Sequence, residues 1–172
     1  MSPRADRPVI HRATVSAAYL SAAQRRRPAT YPQATLPVCD FVGRPGMVAA
    51  EVVAVRAKDL LGRQGEGLAA SFLAESGLLI LDRNWRCPDG EIDIIALEGR
   101  TLVICEVKTR SGAQFGSPLE AVTRAKAHRL RRLAVLWVRA HGMVFDQIRI
   151  DVVGVLRAAS GEFSVEHIPG VA

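Results

Sequence analysis

Charged side chains interrupt two short apolar runs in the middle of the chain. Asp93 lies near the start of the first run, Ile92–Leu97, and Glu106 lies near the end of the second, Leu102–Val107, with Lys108 following. Short β-branched runs separated by a glycine-containing turn are typical of a β-hairpin. Because the start of one hairpin strand lies beside the end of the other, we expect Asp93 and Glu106 to meet at one end of the sheet. The two-residue period of a strand then places Lys108 on the same face as Glu106.

Carboxylates and an ammonium group that converge in this way are costly unless something binds between them. Hard divalent cations prefer oxygen ligands, and a carboxylate pair can hold Mg²⁺ while leaving room for water and a substrate phosphate. The pattern therefore predicts a magnesium site at Asp93 and Glu106. Glu91 lies two residues before Asp93, on the same strand face. It is a candidate for a further metal ligand or for a group that orients water, with a solvated strand start as the alternative.

Longer segments around these residues resemble the YraN family of uncharacterised bacterial proteins. That family is related to the PD-(D/E)xK nucleases, which include the archaeal Holliday-junction resolvases. Asp93 matches the isolated acid of the motif, and Glu106-Val107-Lys108 matches its ExK triplet. An ExK triplet alone occurs by chance, but the resemblance extends in consistent order from Gly62 to Leu156. Its blocks are GRQGEGLAASFL, RNWR, GEIDIIA with VICEVKTR, FGSPLEAV and RIDVVGV.

The resemblance implies a restriction-endonuclease-like core and metal-dependent hydrolysis of phosphodiester bonds in DNA. Asp93 and Glu106 would hold Mg²⁺ or Mn²⁺, and Lys108 would orient the attacking water or stabilise the transition state. Glu66, on the first helix, would complete the catalytic site. A glutamate in the first turn of a helix also complements the helix dipole, which is an equally good explanation for Glu66.

Two other interpretations of the function stay open. One is a nucleic-acid-binding or accessory protein that keeps the nuclease-like fold without turnover. The other, by analogy with the resolvases, is a nuclease that acts on branched DNA as a homodimer. The sequence contains no Walker-type phosphate loop and no GxSxG motif, so nucleotide hydrolysis and serine-hydrolase chemistry are disfavoured.

The elements that position these residues follow from periodicity. Apolar residues at three- and four-residue steps predict a helix over Val52–Ser76, with its firm part beginning near Arg63–Glu66 because glycines weaken what precedes. The other predicted elements are a strand from Leu78 to Trp85, a helix from Pro118 to Arg139 with Ser117 as its N-cap, and strands over Gln147–Leu156 and Phe163–Ile168. This order indicates an α/β domain with a mixed central β-sheet flanked by helices.

Basic residues on and before the second predicted helix are the candidates for DNA contacts. They are Arg110, Arg124, Lys126 and Arg131. Lys126 also falls where the family carries a lysine. A solvated helix face is the alternative for such a run of charges. In the strand that follows, Asp151 and Arg149 are predicted to form a structural ion pair.

The net charge of +6 at pH 7 is mostly a property of residues 1–46, which are rich in arginine. We expect residues 1–58 to be a basic, disordered N-terminal extension and residues 59–172 to be the endonuclease-like domain. The extension could be a basic arm, a targeting peptide, or a segment that is not translated if Met47 is the true start. Three scattered cysteines without a CxxC pair favour reduced thiols in the cytoplasm. No apolar run approaches the length of a membrane span, so no membrane partner is expected.

Overall fold

A hairpin and a parallel crossover build the centre of the sheet. The computed structural model describes residues 11–15, 49–112 and 123–171. Its elements are strand β1 (His11–Val15), helix α1 (Ala49–Glu75), strands β2 (Leu79–Cys87), β3 (Gly90–Glu98) and β4 (Thr101–Ser111), helix α2 (Arg124–His141), and strands β5 (Gln147–Arg157) and β6 (Phe163–Ile168). The described strands form one six-stranded sheet in the order β1-β6-β5-β4-β3-β2.

The sheet is mixed, as the sequence predicts. Strands β2, β3 and β4 form an antiparallel meander, and β4 then pairs in parallel with β5 across the connection that contains α2. Strands β5 and β6 are antiparallel again. The predicted α/β architecture, a mixed sheet flanked by helices, is confirmed, and it is consistent with a nuclease-like core.

Alternation along β4 divides the core between the two faces of the sheet. Val103, Cys105 and Val107 pack in the apolar cluster that includes α1, whereas Leu102 and Ile104 pack in the cluster that includes α2. The helices contribute Leu68, Phe72 and Leu73 from α1, and Leu130, Leu133 and Trp137 from α2. Odd-numbered residues of β4 therefore face α1 and even-numbered residues face α2, so the charged residues at even positions of β4 lie on the α2 face.

Helix α1 begins at Ala49, earlier than predicted, and it passes through the glycines that were expected to weaken it. Gly65 explains why one of them is present. A Cβ at Gly65 would lie 1.9 Å from the Thr109 hydroxyl on β4, so the helix approaches the strand too closely for any side chain there. The helix accepts the usual cost of a glycine, about 1 kcal/mol, in exchange for this close packing.

Helix α2 begins at Arg124, later than predicted. Its N-cap is Thr123, whose hydroxyl accepts a hydrogen bond from the Lys126 backbone N–H at 3.3 Å. The predicted cap and start at residues 117 and 118 lie outside the described residues. The helix continues two residues beyond the predicted end at Arg139, to His141, and its C-cap is Gly142, whose φ of 63° is the left-handed conformation that favours glycine.

A hydrogen bond between Trp137 and Asp82 holds α2 over the sheet. The Trp137 indole N–H donates to Oδ2 of Asp82 on β2 at 3.0 Å, and the Trp137 ring is buried in the α2 core. Strand β2 has a register shift between Ile80 and Asp82. The position of α2 matters because its first turn reaches the site described below.

The N-terminal region contributes to the described structure at two places. His11–Val15 pairs antiparallel with β6 and forms an edge of the sheet. The boundary predicted between residues 58 and 59 falls within α1. The segment expected to be an extension therefore includes one strand of the sheet and the start of a helix. Strand pairing of this kind depends on a partner distant in sequence, which local composition does not reveal. Neither of the described helices is long and apolar enough to cross a membrane.

Candidate functional site

The site lies where the two central strands of the hairpin stop pairing. The ladder between β3 and β4 ends at the pair Ile94–Cys105. Beyond it, β3 continues to pair with β2, and β4 continues to pair with β5. Asp93 is the next residue on β3, and its Oδ2 accepts a hydrogen bond of 2.8 Å from the backbone N–H of Val107. The carboxylate of Asp93 thus takes the place of a ladder carbonyl, at the point where the strands part.

Glu106 lies opposite Asp93 in the continued register of the hairpin. It belongs to the even-numbered set of β4 residues, on the α2 face, and it is 7% exposed. The Lys108 ammonium group donates to Oε1 of Glu106, and Lys126 Nζ donates to the same oxygen at 2.5 Å. The predictions that Asp93 lies close to Glu106, and that Lys108 shares a face with Glu106, agree with these contacts.

The electrostatics of the site favour a bound cation. Burial, followed by the nearby Glu106 carboxylate, raises the pKa of Asp93 to about 6, although the Val107 N–H opposes the rise. The Glu66 carboxylate also raises the pKa of Asp93, and the Lys108 ammonium lowers it. Asp93 therefore has less positive charge nearby than its ionised form requires. Carboxylate oxygens in this condition fit Mg²⁺ or Mn²⁺, which prefer oxygen ligands.

Lys108 keeps its proton at neutral pH. Burial lowers the pKa of Lys108, but the hydrogen bond and charge of Glu106 outweigh burial, and the net shift is upward. An ammonium group held in this way is a fixed positive charge. It is poorly suited to remove a proton from water, but well suited to stabilise negative charge on a phosphoryl group.

The other predicted site residues lie at different distances from this centre. Glu66 is partly buried on α1 and close enough to Asp93 to influence its pKa. Glu91 instead pairs with Arg86, with 3.1 Å between Oε2 and Nε, and both side chains are more than half exposed. Within residues 58–112 and 123–171, no group of three or more histidine, cysteine or acidic side chains is arranged to hold a metal ion. The structure therefore supports a carboxylate pair and gives Glu91 a different partner.

Of the residues predicted to contact DNA, Lys126 has a position that the sequence did not indicate. Arg124 and Arg131 are exposed on α2, and Arg110 is partly buried near the end of β4. Lys126 is the member of this set that contacts Glu106. The one sequence signal that sets Lys126 apart from the others is that it falls where the family carries a lysine.

A second buried polar cluster lies apart from the carboxylate pair. Asp151 is fully buried and accepts two hydrogen bonds of 2.9 Å from Arg149, one from the Gly170 N–H, and a contact of 2.9 Å with His167 Nε2. Burial raises the pKa of Asp151, but His167, Arg149 and the Gly170 N–H outweigh it, so the pKa is lowered. This cluster joins β5 to β6 and to the segment after β6. It matches the structural ion pair predicted for Asp151 and Arg149.

The mixed sheet between helices is consistent with a nuclease-like α/β core. Asp93 and Glu106 lie in it where the hairpin strands part, and Lys108 follows two residues later. Residues 65–155 match the model of the uncharacterised protein family UPF0102, also called the YraN family. The chain belongs to this family, and the resemblance inferred from the sequence blocks is confirmed.

Curated bacterial relatives carry the same family name. A UPF0102 protein of Paenarthrobacter aurescens is 55% identical over 120 residues, which cover 70% of this chain and 99% of the relative. UPF0102 proteins of Beutenbergia cavernae and of Arthrobacter sp. are 54% and 56% identical over 117 residues, with coverage of 68% of this chain and 99% of each relative. Nearly the whole length of each relative is therefore represented in this chain.

Proposed function

We propose that the protein is a metal-dependent nuclease that hydrolyses phosphodiester bonds in DNA. The observation that carries the proposal is the placement of Asp93 beside the ExK strand, where β3 and β4 part and Glu106 and Lys108 share one face. Fold alone does not define a function. The proposal therefore rests on these side chains together with the membership of a family whose motif resembles that of the PD-(D/E)xK nucleases.

The donor set supports a metal at this position. Asp93 and Glu106 would hold Mg²⁺ or Mn²⁺, and Glu66, on α1, would complete the catalytic site. A bound cation of this kind supplies Lewis acidity, which activates water and neutralises charge on phosphoryl oxygens. It would also relieve the deficit of positive charge that raises the pKa of Asp93.

The protein's own residues have separable roles in this proposal. Asp93 is held in place by the Val107 N–H, so its second carboxylate oxygen can serve as a ligand. Lys108 remains protonated and stabilises the negative charge that develops on the phosphoryl group. Arg110, Arg124 and Arg131 would contact the DNA backbone, where basic side chains replace condensed counterions. A homodimer and a preference for branched DNA, both suggested by the resolvases, stay predictions.

The second candidate is an accessory protein that binds nucleic acid without cleaving it. It is favoured by the fact that the described residues form no group of three or more histidine, cysteine or acidic side chains that could hold a metal ion. Basic residues on α2 would serve binding alone equally well. The two candidates differ in one measurable property, which is whether the carboxylate pair binds a divalent cation.

Calorimetric titration with MgCl₂ and MnCl₂ tests the proposal. The wild-type protein should bind, and the double variant Asp93→Asn with Glu106→Gln should not. Glu75→Gln, at the exposed end of α1, is the control for a lost carboxylate and should bind like the wild type. Glu91→Gln decides whether that residue is a ligand, and its pairing with Arg86 leads us to expect unchanged binding.

Cleavage of linear, nicked, flapped and four-way DNA then follows with the same variants. Metal-dependent cleavage that the double variant loses would support the nuclease. If the wild type failed to bind either metal, even in the presence of a short duplex that supplies phosphate ligands, the accessory role would replace the nuclease proposal.

A further inference from the structure

Lys126 occupies a position that the helix itself does not favour. It lies in the first turn of α2, where the helix dipole favours acidic side chains and opposes ammonium groups. The first turn of α2 contains no acidic residue to offset this. The Lys126 side chain is 33% exposed, and its Nζ lies 2.5 Å from Oε1 of Glu106. The contact with Glu106 compensates for an unfavourable place in the helix, so it explains why the ammonium group turns toward the sheet.

Lys108 contacts the same carboxylate oxygen. Two ammonium groups at one oxygen repel each other, and the arrangement persists because Glu106 is nearly buried and needs compensation. A divalent cation held by Asp93 and Glu106 would add a further positive charge at this carboxylate. We expect that one of the ammonium groups then has to leave it.

Lys126 is the group that can leave more easily. Lys108 follows Glu106 by two residues on the same strand face, and its backbone is paired with Gly154 of β5 in the interior of the sheet. Lys126 reaches Glu106 from a different element, near one end of that helix. Rotation of its side chain would break the contact without disturbing the sheet.

We propose that Lys126 is a displaceable counter-ion that competes with the divalent cation for Glu106. In the metal-free protein its ammonium group neutralises Glu106 beside Lys108. When the cation binds, Lys126 leaves the carboxylate and contacts a phosphate oxygen of the DNA. This inference rests on the proposed nuclease function and gives Lys126 a role on the substrate phosphate that is coupled to metal binding.

The test is calorimetric titration of the full-length protein with MnCl₂ alone, with no DNA present. Lys126→Met and Lys126→Gln should bind Mn²⁺ roughly tenfold more tightly than the wild type. That change corresponds to about 1.4 kcal/mol, the order of one hydrogen bond to a charged group. Lys126→Arg keeps the positive charge and should bind like the wild type. Arg139→Gln removes a positive charge from the last turn of the same helix, far from Glu106, and should also bind like the wild type.

Each other result has a defined meaning. Unchanged or weaker Mn²⁺ affinity in both Lys126→Met and Lys126→Gln, with wild-type binding intact, would overturn the competition while leaving the nuclease proposal in place. An equal gain in Arg139→Gln would attribute the effect to net charge and would also overturn it. If neither the wild type nor the Lys126 variants bound Mn²⁺, the proposed function itself would fail, and this inference would fail with it.

DNA cleavage tests the second half of the proposal. At Mn²⁺ concentrations that saturate each protein, Lys126→Met should bind the metal more tightly and yet cleave more slowly, because the phosphate contact is lost. Cleavage by Lys126→Met at the wild-type rate or faster would refute the proposed contact between Lys126 and the phosphate. Tighter Mn²⁺ binding together with slower cleavage distinguishes a phosphate contact from a structural role of Lys126. Loss of a structural role would weaken Mn²⁺ binding and cleavage alike.

Discussion

Replacing Asp93 with asparagine should stabilise the metal-free protein at neutral pH. The pKa of Asp93 is raised from its usual 3.8 to about 6, first by burial and then by Glu106. A shift of roughly two pKa units corresponds to about 3 kcal/mol of destabilisation when the group is ionised. Asparagine removes that charge and keeps an oxygen that can accept from the Val107 N–H, whose opposing effect is already contained in the raised pKa. We therefore expect a net gain of about 3 kcal/mol in the free energy of unfolding.

The gain should depend on pH with a definite sign. Because the folded pKa of Asp93 lies above the unfolded value, the folded state binds more protons between about pH 4 and 6. The wild type should therefore lose stability relative to Asp93→Asn as the pH rises through this window, with the difference constant above it. At pH 4 and below, where Asp93 is largely protonated in the folded protein, the two proteins should be nearly equal in stability.

Urea unfolding in EDTA at pH 4 and pH 7.5, followed by tryptophan fluorescence, measures the difference. Asp89→Asn, an exposed carboxylate in the turn before β3, is the control and should show no comparable gain. A loss of stability in Asp93→Asn at pH 7.5 would refute the argument that burial and Glu106 make ionised Asp93 destabilising. So would a stability difference between variant and wild type that did not change with pH. Saturating Mg²⁺ should reverse the order, because it stabilises the folded state of whichever protein binds it.

Further predictions concern the scaffold. Gly65→Ala should lower the free energy of unfolding by about 1–3 kcal/mol, because the new methyl group would collide with Thr109, whereas Gly67→Ala in the same helix meets nothing within 4 Å and should be neutral or stabilising by up to about 1 kcal/mol. Asp151→Ala should cost about 3–5 kcal/mol at pH 7, measured by urea unfolding, since it leaves the buried ends of its partners uncompensated; an unchanged urea midpoint would contradict this. The Cys105 thiol is fully buried and burial raises its pKa, so peptide mapping should find it alkylated in urea and unmodified in the native protein.

Much of the hairpin could be predicted because its determinants are local. The two-residue period and the short turn fix the register, and the register brings Asp93 beside Glu106 and puts Lys108 on the same face. The ladder that ends at Ile94–Cys105 could not be predicted in this way. It ends because the Asp93 side chain accepts the Val107 N–H, and a side chain that replaces a backbone acceptor leaves no trace in hydrophobic periodicity.

Helix boundaries and the position of Glu91 were harder to predict for related reasons. Three glycines argued for a weak start to α1, yet Gly65 is required by its contact with Thr109, so a residue that lowers helix propensity is there for tertiary packing. Glu91 has the correct strand parity for a ligand, but Arg86 on the neighbouring strand lies close enough to pair with it. The two-residue period of a strand determines the face on which a side chain lies. The partner of that side chain depends on which other charged groups reach the same face.

Lys126 illustrates how a helix can change the chemistry of a strand. Its sequence neighbours on α2 are basic, and from sequence it belongs with them on a solvated face that contacts DNA. The hydrogen bond from Trp137 to Asp82 holds α2 over the sheet. The first turn of the helix then brings Lys126 to the same oxygen of Glu106 that Lys108 contacts. An ExK triplet is described by one lysine and one strand, but the charge on Glu106 is balanced by two lysines from two elements. The metal affinity of the carboxylate pair should therefore depend on where α2 begins and how it is anchored, as well as on the triplet itself.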